Sequence, residues 1–128
     1  MFEKIRIIVG VDGSVQSKKA LSEAASIAKN FSGFVKAISI YDKGSKDKAE
    51  TSIADAETEL KKAGVNHDSE LIKASNPAKT LAKIAKQENF DLIVVGSRGL
   101  GGGVSVLLGS VSKEVVGHAY CNVLVVKK

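Results

Sequence analysis

Apolar and polar positions alternate along this chain in two different rhythms. Ile5 to Val11 is apolar apart from Arg6, which predicts a buried strand that ends at the loop signal Asp12-Gly13-Ser14. From Ser17 to Phe31 the rhythm changes: Leu21, Ala24, Ala28 and Phe31 share one helical face, and Ser32-Gly33 stops the helix. Phe34 to Tyr41 reads as a second strand. After a polar loop at Asp42 to Lys48, the positions Ala49, Ile53, Ala56, Leu60 and Ala63 step by four, three, four and three. That spacing is a helix face packed on a sheet, closed by Gly64. His67 to Lys73 is a weaker strand around Leu71 and Ile72. Asn76 and Pro77 have the character of an N-cap and a first-turn residue, opening a helix with Ala78, Leu81, Ala82 and Ala85 inward. Asp91 to Val95 is a strand, Val111 to Ala119 an amphipathic helix and Asn122 to Val126 a closing strand.

Five strands alternating with four helices predict an α/β domain, a parallel sheet with helices on both faces, over residues 1–128 as one unit. Ligands of such sheets bind beyond the carboxyl ends of the strands, where strand order reverses. Two loops at such ends carry small or polar residues: Asp12-Gly13-Ser14 and the segment from Gly96 to Gly109.

The second loop is the more informative. It runs Gly96-Ser97-Arg98-Gly99, then nine residues from Leu100 to Leu108, then Gly109-Ser110. Six of its positions are glycine: 96, 99, 101, 102, 103 and 109. Glycines let backbone approach an anion closely, and the N-terminus of the following helix adds unpaired N–H groups and a positive dipole end. It is not a Walker A loop, because no lysine lies between Lys86 and Lys113. Nor does it follow the first strand, as a dinucleotide fingerprint would. Glycine content alone is also compatible with a simple surface connection.

Composition narrows the partners. The net charge is +5, but residues 1–64 hold eleven basic and nine acidic side chains and residues 65–128 eight and five. Charge spread this evenly, with two arginines and six aromatic residues in all, describes a lysine-rich solvated surface and argues against nucleic acid. No apolar stretch has the length of a membrane span. The single Cys121 excludes an internal disulfide, and no signal peptide precedes the first strand, so the expected location is cytoplasmic.

Several residues have plain structural readings. Asp12 suits a turn or cap, and Arg98 an exposed loop tip. Cys121, beside an apolar strand, reads as a small buried hydrophobe, and with His118 it supplies too few ligands for a metal site. Leu107 and Leu108 are expected to pin the loop to the domain.

The spacing Gly96-x-x-Gly99-x9-Gly109-Ser110 resembles the ATP-binding signature of the universal stress protein family at every fixed position. The likeness spans the chain. Ile7-Ile8-Val9-Gly10-Val11-Asp12-Gly13-Ser14 resembles the family's opening strand and aspartate loop, and Asp91-Leu92-Ile93-Val94-Val95-Gly96-Ser97 and Val123-Leu124-Val125-Val126 resemble its later strands. The resemblance implies an adenine-nucleotide α-hydrolase-like, three-layer α/β/α fold with strand order 3-2-1-4-5. It implies that Gly10, Val11 and Asp12 border adenine and ribose, with Ile40 at the adenine edge. Gly96, Arg98 and Gly99 would then meet ribose and first phosphate, Leu100, Gly101 and Gly102 would follow the phosphates, and Gly109, Ser110, Val111 and Ser112 would receive the phosphate tail. ATP would bring Mg or Mn, with Asp12 as a further ligand. It also implies a regulatory homodimer in a stress response, paired through Asn122, Val123, Leu124, Val125 and Val126. A slow ATP hydrolase or phosphate- or adenylyl-transferring enzyme, and a dimeric scaffold that uses no nucleotide, are the alternatives. Departures from the usual pattern are Ser75-Asn76-Pro77, Cys121-Asn122, the glycine-rich Leu100-Gly101-Gly102-Gly103, and a short segment between the second and third strands.

Overall fold

A computed structural model describes residues 4–97 and 110–127. The chain forms β1 (Arg6–Gly10), α1 (Val15–Asn30), β2 (Phe34–Tyr41), α2 (Lys46–Ala63), β3 (Asn66–Lys73), α3 (Pro77–Gln87), β4 (Leu92–Gly96), α4 (Ser110–His118) and β5 (Asn122–Val126). The five strands make one parallel sheet in the order β3-β2-β1-β4-β5, as expected.

Alternation along β1 sets the layers. Ile7 and Val9 point into a core shared with Ala20, Leu21 and Ala24 of α1 and Ala56 and Leu60 of α2. Ile8 points the other way, into a core shared with Ala78, Leu81 and Ala85 of α3 and Val115 of α4. A β1 covered on both faces has to be apolar throughout, which is why its sequence shows no polar alternation.

The helix ends follow local chemistry. The Asn76 carboxamide oxygen accepts from Lys79 N–H at 3.0 Å, with Pro77 opening α3, as the sequence predicts. Gly64 closes α2 in the left-handed region at φ 71°. Two readings need correction. Phe31 does not join the buried face of α1: it occupies the C-cap, past the last helical residue, and is 68% exposed. The chain there turns through Ser32 at φ 51° so that Gly33 N–H can reach Ala28 O at 2.7 Å. α2 begins at Lys46 rather than near Ala49, so the loop after β2 is shorter than its polar composition suggests.

Two charged residues in the strands, Arg6 and Lys36, have partners that account for their placement. Arg6 holds its guanidinium over the rings of Phe34 and Phe90, 5.2 and 4.7 Å from their centroids, and donates to Glu88 O. Lys36 is buried in β2, with its ammonium 2.8 Å from Glu70 and 3.0 Å from Glu88. Burial pulls its pKa down, but the hydrogen bonds and charges of the two glutamates outweigh that and hold it above the ordinary 10.5. Because the folded-state pKa is the raised one, this contribution to stability is complete below about pH 10.5 and disappears as pH climbs through the raised value.

The arrangement predicts an asymmetry in urea unfolding. Lys36→Met should cost no more than about 1 kcal/mol, because both glutamates are half exposed and rehydrate. Glu70→Gln with Glu88→Gln leaves the buried ammonium without a counter-charge and should cost on the order of 2 kcal/mol.

Candidate functional site

The carboxyl ends of β1, β2 and β4 open on one side of the domain. After β1 the chain crosses one face to β2, and after β3 it crosses the other face to β4, so strand order reverses between β1 and β4. The loop Asp12-Gly13-Ser14 lies at that end. Asp12 Oδ1 accepts from Ser14 N–H at 2.9 Å, and Asp12 N–H donates to Ser17 Oγ at 3.2 Å. Ser14 Oγ caps α1 by accepting from Ser17 N–H at 3.1 Å. Gly13 adopts φ 83°, and a Cβ there would stand 3.0 Å from Ser52 Oγ. The turn reading of Asp12 is therefore correct for Oδ1, and the carboxylate stays exposed.

Asp12 also lines a cavity of about 190 Å³ with Ser39 and Ile40 of β2 and with Ser45, Lys48, Ala49 and Ser52 at the start of α2. Gly10 and Val11, which precede Asp12, are not in the cavity's lining: Val11 lines the space between α1 and α2 instead. A Cβ on Gly10 would come within 3.0 Å of Leu81, and Val11 N–H donates to Ile38 O at 2.9 Å. Ser45 and Lys48 went unnoticed in the sequence because Asp42 to Lys48 reads as loop, and Ala49 was read only as part of a core-facing helix stripe. The shortness of that segment was the available signal: it leaves α2 no room to start far from the end of β2.

The β4 end is held by two contacts. A Cβ on Gly96 would lie 2.8 Å from Gln16 Cβ and 2.9 Å from the Gln16 carbonyl carbon, so only glycine lets the first turn of α1 close onto β4. Ser112 is 2% exposed, and its Oγ lies 2.7 Å from Gly96 O and 3.0 Å from Ser97 O. Its one proton serves these carbonyls and ties α4 to β4, so what Ser112 can offer a ligand is backbone N–H. Ser110 and Val111 are exposed at the start of α4, whose first turn contains no acid to oppose an anion. Arg98, Gly99, Leu100, Gly101, Gly102, Gly109, Leu107 and Leu108 lie outside the described residues.

Asp12 is the one carboxylate lining the cavity, and among the described residues no three His, Cys, Asp or Glu side chains gather as metal ligands. A divalent ion here would depend on a ligand's own oxygens, with Asp12 as the protein's contribution. Cys121 is half buried at the entry to β5 rather than fully buried, and burial together with the Asp91 charge pushes its thiol pKa up. Asn122 to Val126 form the edge strand, with Val123 to Val126 each half buried.

A doubly wound sheet whose strand order reverses between β1 and β4, with a cavity beside the loop after β1, defines a class of α/β ligand-binding domains. The universal stress protein family model matches residues 5–127, and the chain belongs to that family. It is 32% identical to a universal stress protein of Methanocaldococcus jannaschii, over 96% of this chain and 82% of that protein. Universal stress protein UspA from Lactobacillus plantarum superposes with a TM-score of 0.79 at 26% identity, covering 98% of this chain and 99% of the other. A universal stress protein solved in complex with cAMP superposes equally well, at 0.79 and 26%, over 95% of this chain and 96% of that one.

Two glycines provide a contrast in thermal unfolding. Gly96→Ala forces a Cβ into Gln16 and should destabilise by about 2 kcal/mol. Gly117→Ala, in α4 with nothing within 4 Å of the new methyl, should be neutral or stabilise by up to about 1 kcal/mol.

Proposed function

We propose that the chain binds ATP as a nucleotide-responsive regulatory homodimer acting in a stress response in the cytoplasm. The observation that carries this reading is the cavity between Asp12, Ile40 and the start of α2, at the carboxyl ends of β1 and β2. In this reading the adenine ring enters between Ile40 and the Gly10-Val11-Asp12 segment, and the Asp12 carboxylate accepts from the nucleoside. The ribose and phosphates run past Gly96, Arg98, Gly99, Leu100, Gly101 and Gly102 toward Gly109, Ser110, Val111 and Ser112, where helix N–H groups receive negative charge. Mg or Mn arrives on the phosphates. The cAMP complex of a family member supports adenine nucleotides as the ligand class. The site as read is a holder: it offers phosphate donors but, beyond Asp12, no general base, which favours binding over turnover.

Protein purified without added nucleotide should release an adenine nucleotide in acid, or take up Mg-ATP on titration. Asp12→Asn keeps the oxygen that Ser14 N–H needs but exchanges the other acceptor for a donor, so it should weaken ATP about tenfold at unchanged Tm. Ser110→Leu should abolish binding by filling the phosphate seat. Affinity unchanged in both variants would remove the assigned site, and failure of millimolar ATP to bind would leave the scaffold reading.

The homodimer reading uses β5. It pairs on one side with β4; its outer edge presents unpaired backbone groups, and none of Val123, Leu124, Val125 and Val126 on its two faces is fully buried. An apolar edge of this kind is an aggregation hazard unless another strand covers it. Sedimentation should give a dimer; a wild-type monomer at micromolar concentration would refute the pairing.

A further inference from the structure

The helices α1 and α2 lie on the same face of the sheet, and small side chains line the space between them: Ser17, Ser22 and Ala25 on α1, and Ser52, Ala56 and Ala63 on α2. They leave a groove of about 580 Å³, floored by the buried Val11 and Leu21. Protein interiors are close-packed, and a gap between helices is ordinarily filled by leucine or isoleucine. The volume falls in the roughly 300–1,000 Å³ range of small-molecule sites.

Acceptors outnumber donors on the walls. Ser52 Oγ donates to Lys48 O at 2.9 Å, Thr58 Oγ1 to Ala54 O at 3.1 Å and Ser17 Oγ to Ser14 O at 3.2 Å. With their protons committed to backbone carbonyls, these hydroxyls have only lone pairs left to offer. Asp55 and Glu59, one turn apart on α2, add carboxylates to the same lining. Glu59 also meets Lys62 at 3.8 Å on the exposed rim, where an ion pair holds little. Lys18, on α1, is the cation of the lining.

We infer that the α1–α2 groove binds a small amphipathic amine. The apolar body lies on Val11, Leu21, Ala25 and Ala56, and the ammonium donates to Asp55 and the α2 hydroxyl oxygens. A ligand with an anionic head would meet mostly acceptors and would find only Lys18 and the Ser22 hydroxyl as donating side chains. The inference stands apart from the phosphate loop; Val11 and Ser52 are shared with the proposed nucleotide site, whereas Ser22, Asp55 and Ala56, which the test alters, line only the groove.

Three probes with one tail test it: n-octylammonium, n-octanol and octanoate, each below its micelle concentration, titrated into uniformly 15N-labelled protein. With n-octylammonium, saturable amide shifts should appear in residues 17–25 and 52–63, with octanoate at least about tenfold weaker and octanol between them. Asp55→Asn should bring the ammonium close to the octanol affinity. Ala56→Phe should block all three probes; Ser22→Phe, at an exposed position on the rim, makes the same obstruction should the buried substitution unfold the chain. Shifts absent with n-octylammonium, equal for octanoate, or unchanged by Ser22→Phe and Asp55→Asn would overturn the inference.

Discussion

The contact between the first turn of α1 and the last residue of β4 governs the working end of this domain. A central strand buried on both faces has to be crossed by helices at its carboxyl end, and a side chain at Gly96 would stand inside van der Waals contact of the Gln16 backbone. Absence of a Cβ there allows α1 to close down. Ser112 then fastens α4 to the same strand end through the carbonyls of Gly96 and Ser97, and Ser97 N–H bonds Val126 O at 2.9 Å, tying in β5. One small residue thus lets two helices and two strands share a corner, and the start of α4 is positioned by that corner.

The Asp12 loop is locked from within by comparison. Its hydrogen bonds to Ser14 and Ser17 are local, so the turn forms from its own residues and presents a carboxylate whose orientation does not depend on a ligand. The wall opposite is different in kind: Lys48 and Ser52 belong to α2, Ser45 is its N-cap residue, and they reach the cavity only because the loop after β2 is short. A preformed turn on one side and a packed helix on the other make a cavity with little left to order on binding, which favours affinity. Ser52 also lines the α1–α2 groove, so one buried serine faces both cavities.

Patterning alone made much of this legible. The helix and strand rhythms of Ile5 to Val11, Ala49 to Ala63 and Asn76 to Ala85 reflect burial on a period of two or 3.6, which is a local property of the chain. The cap at Asn76-Pro77 and the stop at Gly64 were readable for the same reason, since a few neighbouring residues decide them. Phe31 misled because an apolar residue in phase with a helix is buried only if the helix extends that far, and the Ser32-Gly33 turn ends α1 one residue earlier. The start of α2 misled because Asp42 to Lys48 is polar, and a solvated first turn of helix has the same composition as a loop.

The sequence by itself determined the elements, the parallel sheet with helices on both faces, the family, and the two loops at the reversal point, because periodicity, capping and glycine spacing are written into contiguous residues. Tertiary structure decided which side chains meet: Lys36 with Glu70 and Glu88, Gly96 with Gln16, Asp12 with the first turns of α2, and the groove of small residues between α1 and α2. Those partners are separated in sequence by between 34 and 80 residues in the first two cases and lie on different elements in all of them. Their meeting depends on strand order, register and helix placement, quantities that belong to the whole sheet and to no single segment.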